Sequence, residues 1–270
     1  MRGKLFVVAT PIGNLQDITL RALETLKSVS AIASEDTRIS LKLLNHFGIR
    51  KRLISNFKEN ESKRVAEITE ILEKGEDVAL ISDAGTPLIS DPGRILVHSL
   101  RKNGYEVIPI PGASSLTAAL SVCGFEDHPF IFYGFVPKKE GEKKEIIEEL
   151  KTVKYTAVFF ESPHRIRKTL RMFYDNFPER DLFVAREMTK KFESYLSNPE
   201  LQSVPEKGEF VIILSPSKKE ATEIVEKSVE EKYRQLVEKG MSHNQAVKEL
   251  SKQLKISKRL LYNTLLAKGV

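Results

Sequence analysis

Ser82-Asp83-Ala84-Gly85-Thr86-Pro87-Leu88-Ile89-Ser90-Asp91-Pro92-Gly93 follows the apolar run Asp77-Val78-Ala79-Leu80-Ile81 and precedes Arg94-Ile95-Leu96-Val97-His98-Ser99-Leu100. The short aliphatic run predicts a buried strand, and the segment after the loop predicts a helix. A twelve-residue connection with two Pro, two Gly and two Asp is far longer than a chain reversal needs. In an open α/β sheet, ligands bind beyond the carboxyl ends of the strands, where this loop would lie. Taken alone, a surface loop with capping aspartates explains the stretch equally well.

Working outward, the same strand-then-helix unit repeats. Toward the N-terminus, Leu5 to Ala9 ends at Thr10-Pro11-Ile12-Gly13-Asn14 and is followed by a helical stripe of Ile18, Leu20, Ala22, Leu23 and Leu26. Ala31-Ile32-Ala33 runs into Ser34-Glu35-Asp36-Thr37-Arg38, then a helix that closes at Gly48. Arg52 to Ser55 predicts another strand and Ser62 to Lys74 a helix. Beyond the long loop, Glu106 to Ile110 meets Pro111-Gly112-Ala113-Ser114-Ser115, which opens a small Ala-rich helix from Leu116 to Val122. Repeated units of this length predict a mostly parallel sheet with helices on both faces.

The pattern breaks around Gly124 to Pro129. The expected organisation is therefore an N-terminal α/β domain over 1–124, a second α/β domain with a mixed sheet over 125–216, and a basic helical module over 217–270. In the second domain, Phe130 to Val136, Ala157 to Phe160, Leu182 to Glu187, Glu193 to Leu196 and Phe210 to Leu214 read as strands. The last two are expected to pair antiparallel across Glu206-Lys207-Gly208-Glu209.

Composition narrows the class. Hydrophobic residues make up 41% and charged residues 30%, as in a globular protein with a well-charged surface. The single Cys123 excludes an intrachain disulfide and fits a reducing compartment. No apolar run reaches membrane-spanning length, and the apolar stretch after Met1 stops at Thr10-Pro11, too early for a secretion signal. A cytoplasmic protein with no membrane role is expected. From Met241 onward, Lys248, Lys252, Lys255, Lys258, Arg259 and Lys268 face Glu249 alone, so this end carries nearly all of the formal charge of +6. A basic end on a neutral body points to a polyanion, nucleic acid first.

The loops exclude several chemistries. Thr10 to Asn14 lacks the Gly-Lys-Ser/Thr ending of a phosphate-binding loop, and no Gly-x-Gly-x-x-Gly or Gly-x-Ser-x-Gly occurs. The five His form no close pair, so no metal site is expected. Ser114 and Ser115 open a helix whose free N–H groups can bind an anion, although an ordinary cap would look the same. Glu35-Asp36-Thr37-Arg38, Glu161-Ser162-Pro163-His164-Arg165 and Arg186-Glu187 with Thr189-Lys190 place charge at strand ends, where it can orient a substrate or move a proton. Together these predict an enzyme with a cleft between two α/β domains.

Thr10-Pro11-Ile12-Gly13-Asn14-Leu15, Glu35-Asp36-Thr37-Arg38, Ser82 to Pro87 with Asp91-Pro92-Gly93, Pro111-Gly112, Glu161 to Arg165, Ala185-Arg186-Glu187 and Lys207-Gly208-Glu209 occur in one order and spacing. In these the chain resembles the tetrapyrrole methylase family, and within it the branch of bacterial 16S rRNA (cytidine-2′-O)-methyltransferases. It departs at Ser194, where a second acidic residue is common, and more broadly beyond Pro216.

The resemblance implies S-adenosylmethionine bound in a cleft between the two domains, a homodimer, and methylation of a cytidine ribose 2′-hydroxyl in the decoding region of the small ribosomal subunit. By position, the cofactor would contact Pro11, Ile12, Asp83, Gly85, Thr86, Ile89, Ser114, Ser115 and Phe160. A poorly acidic hydroxyl benefits from a general base, for which Glu35, Asp36 and Glu187 are the candidates. Arg38, His164, Arg165 and Lys190 would hold the RNA, together with Lys255, Lys258 and Arg259 of a helix-turn-helix-like end that begins at Ser242. A small-molecule methylase of the same fold and a non-enzymatic ligand sensor that binds nucleic acid remain the alternatives.

Overall fold

The strand ahead of the long loop, β4 (Val78–Ile81), lies at the centre of a five-stranded sheet in the computed structural model, which describes residues 1–125, 129–217, 232–238 and 240–254. The other strands are β1 (Leu5–Val8), β2 (Ala31–Ser34), β3 (Arg52–Ser55) and β5 (Val107–Ile110), in the order β3-β2-β4-β1-β5. Every pairing is parallel. β4 is buried along its whole length because both faces of the sheet are covered. Helices α1 (Leu20–Ser28) and α2 (Thr37–His46) cover one face, where Leu26 and Leu44 pack on Val8, Ile32, Ala79 and Ile81. Helices α3 (Glu61–Glu73) and α4 (Arg94–Lys102) cover the other, where Ile68, Leu72, Leu96 and Leu100 pack on Leu5, Ala33 and Leu80. Each of these leucines, fully buried, contributes roughly 2 kcal/mol. Chain connections leave β1 and β4 in opposite directions, so a crevice opens between their carboxyl ends.

The second sheet contains β6 (Phe130–Phe135), β7 (Thr156–Glu161), β8 (Leu182–Arg186), β9 (Ser194–Ser197) and β10 (Phe210–Leu214), in the order β6-β7-β10-β8-β9. It is mixed, with β6 parallel to β7 and the remaining pairings antiparallel. One sequence expectation is corrected here. Phe210 to Leu214 does not pair with β9 but inserts between β7 and β8. All five of its residues are buried, whereas β9 alternates half-buried and exposed. A strand apolar on both faces is stable only inside a sheet, and the half-polar one takes the edge.

Phe210, Ile212 and Leu214 join a core with α6 (Glu140–Thr152) and α7 (Ile166–Asn176). Val211 and Ile213 face the opposite way, toward α5 (Ser115–Val122) and Ile12. Thus α5, which follows the last strand of the first sheet, packs on the second, with Ala119 fully buried between them. The two sheets are joined through this helix.

At the C-terminal end, helical residues 232–238 (α8) pack Tyr233 against Ala246, Val247 and Leu250 of α9 (His243–Leu254). The Tyr233 hydroxyl meets His243 Nδ1 at 2.6 Å. The turn at Lys255 and the second helix expected of a helix-turn-helix, with Lys258 and Arg259 among its basic residues, lie outside the described residues. No helix among the described residues is long and apolar enough to cross a membrane.

The long loop ends where α4 begins, at Gly93, which offers no side-chain cap. The buried Glu61 supplies one from α3: its Oε1 accepts the Leu96 N–H at 2.9 Å. Glu61→Ala leaves that N–H without a partner, at a cost of about 2 kcal/mol, and should lower the thermal midpoint by roughly 4–8 °C. Glu61→Gln, which still presents an oxygen, should lose much less. Equal midpoints for Glu61→Ala and the unaltered protein in a thermal melt would remove this bond from the account of α4.

Candidate functional site

Three loops leave the carboxyl edge of the first sheet and are bonded to one another. Thr10 N–H donates to the Gly85 carbonyl at 2.9 Å, and Gly85 N–H donates back to the Thr10 carbonyl at 3.0 Å. Thr86 Oγ1 donates to the Ala113 carbonyl at 3.1 Å and so ties in the loop after β5. Gly85 adopts φ +78°, and a Cβ there would stand 3.2 Å from Ile12 Cγ2. The left-handed φ favours glycine, and a Cβ would press on Ile12. Leu88 and Ser90, each at φ 72°, are left-handed without being glycine. Such backbone costs of order 1–3 kcal/mol per residue and persists only where the surroundings enforce it.

Opposite these loops stand the strand ends of the second sheet. One pocket is lined from the first sheet by Ile12, Ala84 to Thr86, Ile89 to Asp91, and Ser114 and Ser115. From the second sheet it is lined by Phe135, Phe160, Glu161, Met188 and Glu209 to Val211. Of the residues expected to contact a cofactor, Ile12, Gly85, Thr86, Ile89, Ser114, Ser115 and Phe160 line it. Pro11 and Asp83 lie beside it in the same loops without lining it. Ser114 stands at the N-cap position of α5 with its side chain not engaged in capping, so the hydroxyl stays available to the pocket.

The three candidate bases sit in different electrostatic surroundings. Asp36 caps α2 and is clasped by Arg38, with Nη2 to Oδ2 at 2.6 Å. That guanidinium holds its pKa down to about 2. Glu187 follows β8 at φ 50°, and its Oε1 accepts from Lys190 Nζ and the Glu209 N–H, each at 3.0 Å. Burial pushes its pKa upward, but these donors outweigh it and leave a net lowering. Glu35 is the reverse case: burial first, then the neighbouring charges of Asp83, Asp91 and Asp36, raise its pKa. The Asp36 N–H donates to Asp83 Oδ1 at 3.0 Å, which joins the loops after β2 and β4.

The cations expected at RNA divide as well. Arg38 is 87% exposed and His164 is exposed. Lys190 lies 3.0 Å from both Glu187 and Glu209. Arg165 is committed within the protein: Nη2 meets Glu161 Oε1 at 2.6 Å, and Nη1 donates to the Val136 carbonyl at 2.9 Å. Glu161 is in turn fully buried and accepts from the Ser162 N–H and Thr169 Oγ1, each at 2.6 Å.

Sequence reasoning missed Asp91, Phe135, Met188 and Glu209 as pocket residues. Asp91 was visible as the second acid of the long loop. Gly134 inside a strand was a signal for an irregularity beside Phe135. Nothing local marks Met188. The Asp91 carboxyl is half-buried, and burial, with Asp83 adding to it against the Ser82 hydroxyl, raises its pKa to about 6.

The tetrapyrrole (corrin/porphyrin) methylases match residues 4–204 of this chain. A Neisseria meningitidis serogroup B (strain ATCC BAA-335 / MC58) protein named ribosomal RNA small subunit methyltransferase I is 44% identical over 236 residues, covering 84% of this chain and 81% of that protein. A Bacillus subtilis (strain 168) protein of the same name is 36% identical over an aligned length of 272 residues, covering 97% of this chain and 93% of its own. Among solved structures, the methyltransferase CobJ has a TM-score of 0.60 at 18% identity, over 80% of this chain and 95% of that one, a likeness of fold alone.

Asp91 gives the site a measurable pH dependence. Between its ordinary value of 3.8 and about 6, the folded protein retains a proton that the unfolded chain has lost. Stability contributed by the neutral carboxyl is therefore present below 3.8 and is lost as pH rises through 6. Asp91→Asn should raise the thermal midpoint at pH 7.5 by roughly 2–4 °C, about 1 kcal/mol after allowance for partial exposure, and leave it unchanged at pH 4. The same gain at both pH values would contradict a buried, charged Asp91.

Proposed function

We propose that this chain, which belongs to the tetrapyrrole (corrin/porphyrin) methylase family and is a methyltransferase, methylates small-subunit ribosomal RNA with S-adenosylmethionine. Within that reaction the acceptor is the 2′-hydroxyl of a cytidine ribose in the decoding region, and the working form is a homodimer. The observation that carries the proposal is the likeness, over most of the chain, to proteins named ribosomal RNA small subunit methyltransferase I.

The chemistry of the pocket fits the donor. The carboxylate of Asp91 suits its ammonium and ribose hydroxyls, and the start of α5 at Ser114 and Ser115 suits its carboxylate. Phe160, Met188 and Val211 offer an apolar wall for a purine. When bound, S-adenosylmethionine supplies a methyl group on a sulfonium to an oxygen that approaches in line. The protein's task is alignment, which the bonded loops provide without further ordering.

Glu35 takes the hydroxyl proton. Asp36 and Glu187 are held in their charged forms by Arg38 and Lys190, which makes them weak bases. Glu35, pushed up by burial and by like charges, is the stronger proton acceptor. Arg38, His164 and Lys190 face the RNA backbone, with Lys255, Lys258 and Arg259 of the basic end adding grip. Arg165 serves the pocket wall through Glu161 and the Val136 carbonyl.

Purified protein, tritiated S-adenosylmethionine and small subunits from cells lacking the endogenous enzyme test this directly. Label is expected in an alkali-resistant dinucleotide that contains cytidine. Glu35→Gln should lower kcat about 100-fold while the KM for the donor changes less than threefold. Label on a base, or no label on RNA, would refute the acceptor. An unchanged kcat would refute Glu35 as the base.

A further inference from the structure

We infer that Phe135, with Ile89 across the mouth of the pocket, is the stacking platform for the target nucleobase, a step that rests on the rRNA reading above. Both side chains line the pocket yet remain open to solvent, Phe135 at 55% and Ile89 at 37%. They come from opposite sheets, one from the end of β6 and one from the long loop. Single exposed apolar side chains are ordinary, but two that line one pocket from opposite sheets point to a binding surface.

The backbone is shaped to put them there. β6 pairs with β7 through a register shift, Phe132 opposite Val158 but Gly134 opposite Phe159, so Tyr133 is an extra residue. An extra residue reverses the facing of everything after it. Phe135 thereby lies on the same side as its partner Phe160 and meets it edge to face at 5.6 Å and 71°. Gly134, at φ +71°, permits the bulge and faces the long loop, its Cβ position 3.6 Å from Ser90 Oγ. Ile89 is flanked by the left-handed Leu88 and Ser90, each at φ 72°. The backbone just past the ring is also held. Val136 N–H donates to the Phe160 carbonyl at 3.2 Å, and Arg165 Nη1 donates to the Val136 carbonyl at 2.9 Å and the Pro137 carbonyl at 3.3 Å.

The occupant follows from the surroundings. Three residues on, Lys138 is exposed and has no ion pair among the described residues, and His164 is exposed on the neighbouring turn. An exposed aromatic ring with an exposed lysine three residues along the same chain segment suits an unpaired nucleotide, ring on base and cation on phosphate. A ribose hydroxyl can reach a recessed methyl donor only if its nucleotide leaves the stack, and an extruded base needs a surface to replace its neighbours.

Steady-state methylation of small subunits by Phe135→Ala, Phe135→Leu and Phe135→Tyr, with donor affinity measured by calorimetry, tests the inference. Phe135→Ala should raise the KM for RNA about tenfold or more, Phe135→Leu should raise it severalfold, and Phe135→Tyr should stay within about twofold. The Kd for S-adenosylmethionine should stay within about twofold in all three, and a thermal melt should confirm that each folds. An unchanged RNA KM in Phe135→Ala overturns the platform. A donor Kd that weakens as much as the RNA KM also overturns it, by assigning the ring to the donor's purine. If the unaltered enzyme methylates no RNA, the rRNA reading itself fails, and this inference falls with it.

Discussion

Two backbone hydrogen bonds between Thr10 and Gly85 fix the loop after β1 to the loop after β4, and the site depends on that junction. They form across the crevice where chain connections leave β1 and β4 in opposite directions, the place where an open parallel sheet can accept a ligand. Gly85 can make both bonds because it tolerates a left-handed φ of +78°. Its neighbour Thr86 extends the junction to Ala113, just before α5. Since α5 packs on the second sheet through Ala119, Val211 and Ile213, the junction also sets how the strand ends of that sheet face the loops. A rigid cleft results from local turn chemistry and one shared helix.

Charge is distributed within this frame in two ways. Around Glu187 and Glu161 every carboxylate has a cation or an N–H donor, which makes those corners stiff. Around Glu35, Asp83 and Asp91 burial and mutual repulsion raise the pKa values instead. A group of strained acids is costly in the folded protein and becomes favourable when a cation or a transferable proton arrives. The site thus combines a stiff, fully paired wall with a neighbouring group of acids that burial and mutual repulsion hold at raised pKa.

Much of this was legible in the sequence because it is local. Apolar runs of four or five residues followed by Gly, Pro and acids mark strand ends, and the loops at Thr10, Ser82 and Pro111 were all found that way. Gly48 as a helix stop follows from the same short-range chemistry. The misread pairing of Phe210 to Leu214 was non-local: the sequence near Gly208 suits a hairpin, yet burial on both faces drew the strand between β7 and β8. Phe135 was hidden for a related reason, since one extra residue at Tyr133 decides which face it takes. Asp91 stood in plain view, but its weight comes from burial beside Asp83, and burial is a property of the fold.

Hydrogen–deuterium exchange with and without S-adenosylmethionine tests most directly whether loops of both sheets form one cofactor cleft. Added donor should slow exchange together in the segments around Ile12, from Ala84 to Asp91, at Ser114 and Ser115, and around Met188 and Glu209 to Val211. Protection confined to the loops of one sheet, or appearing away from these segments, would contradict a shared cleft.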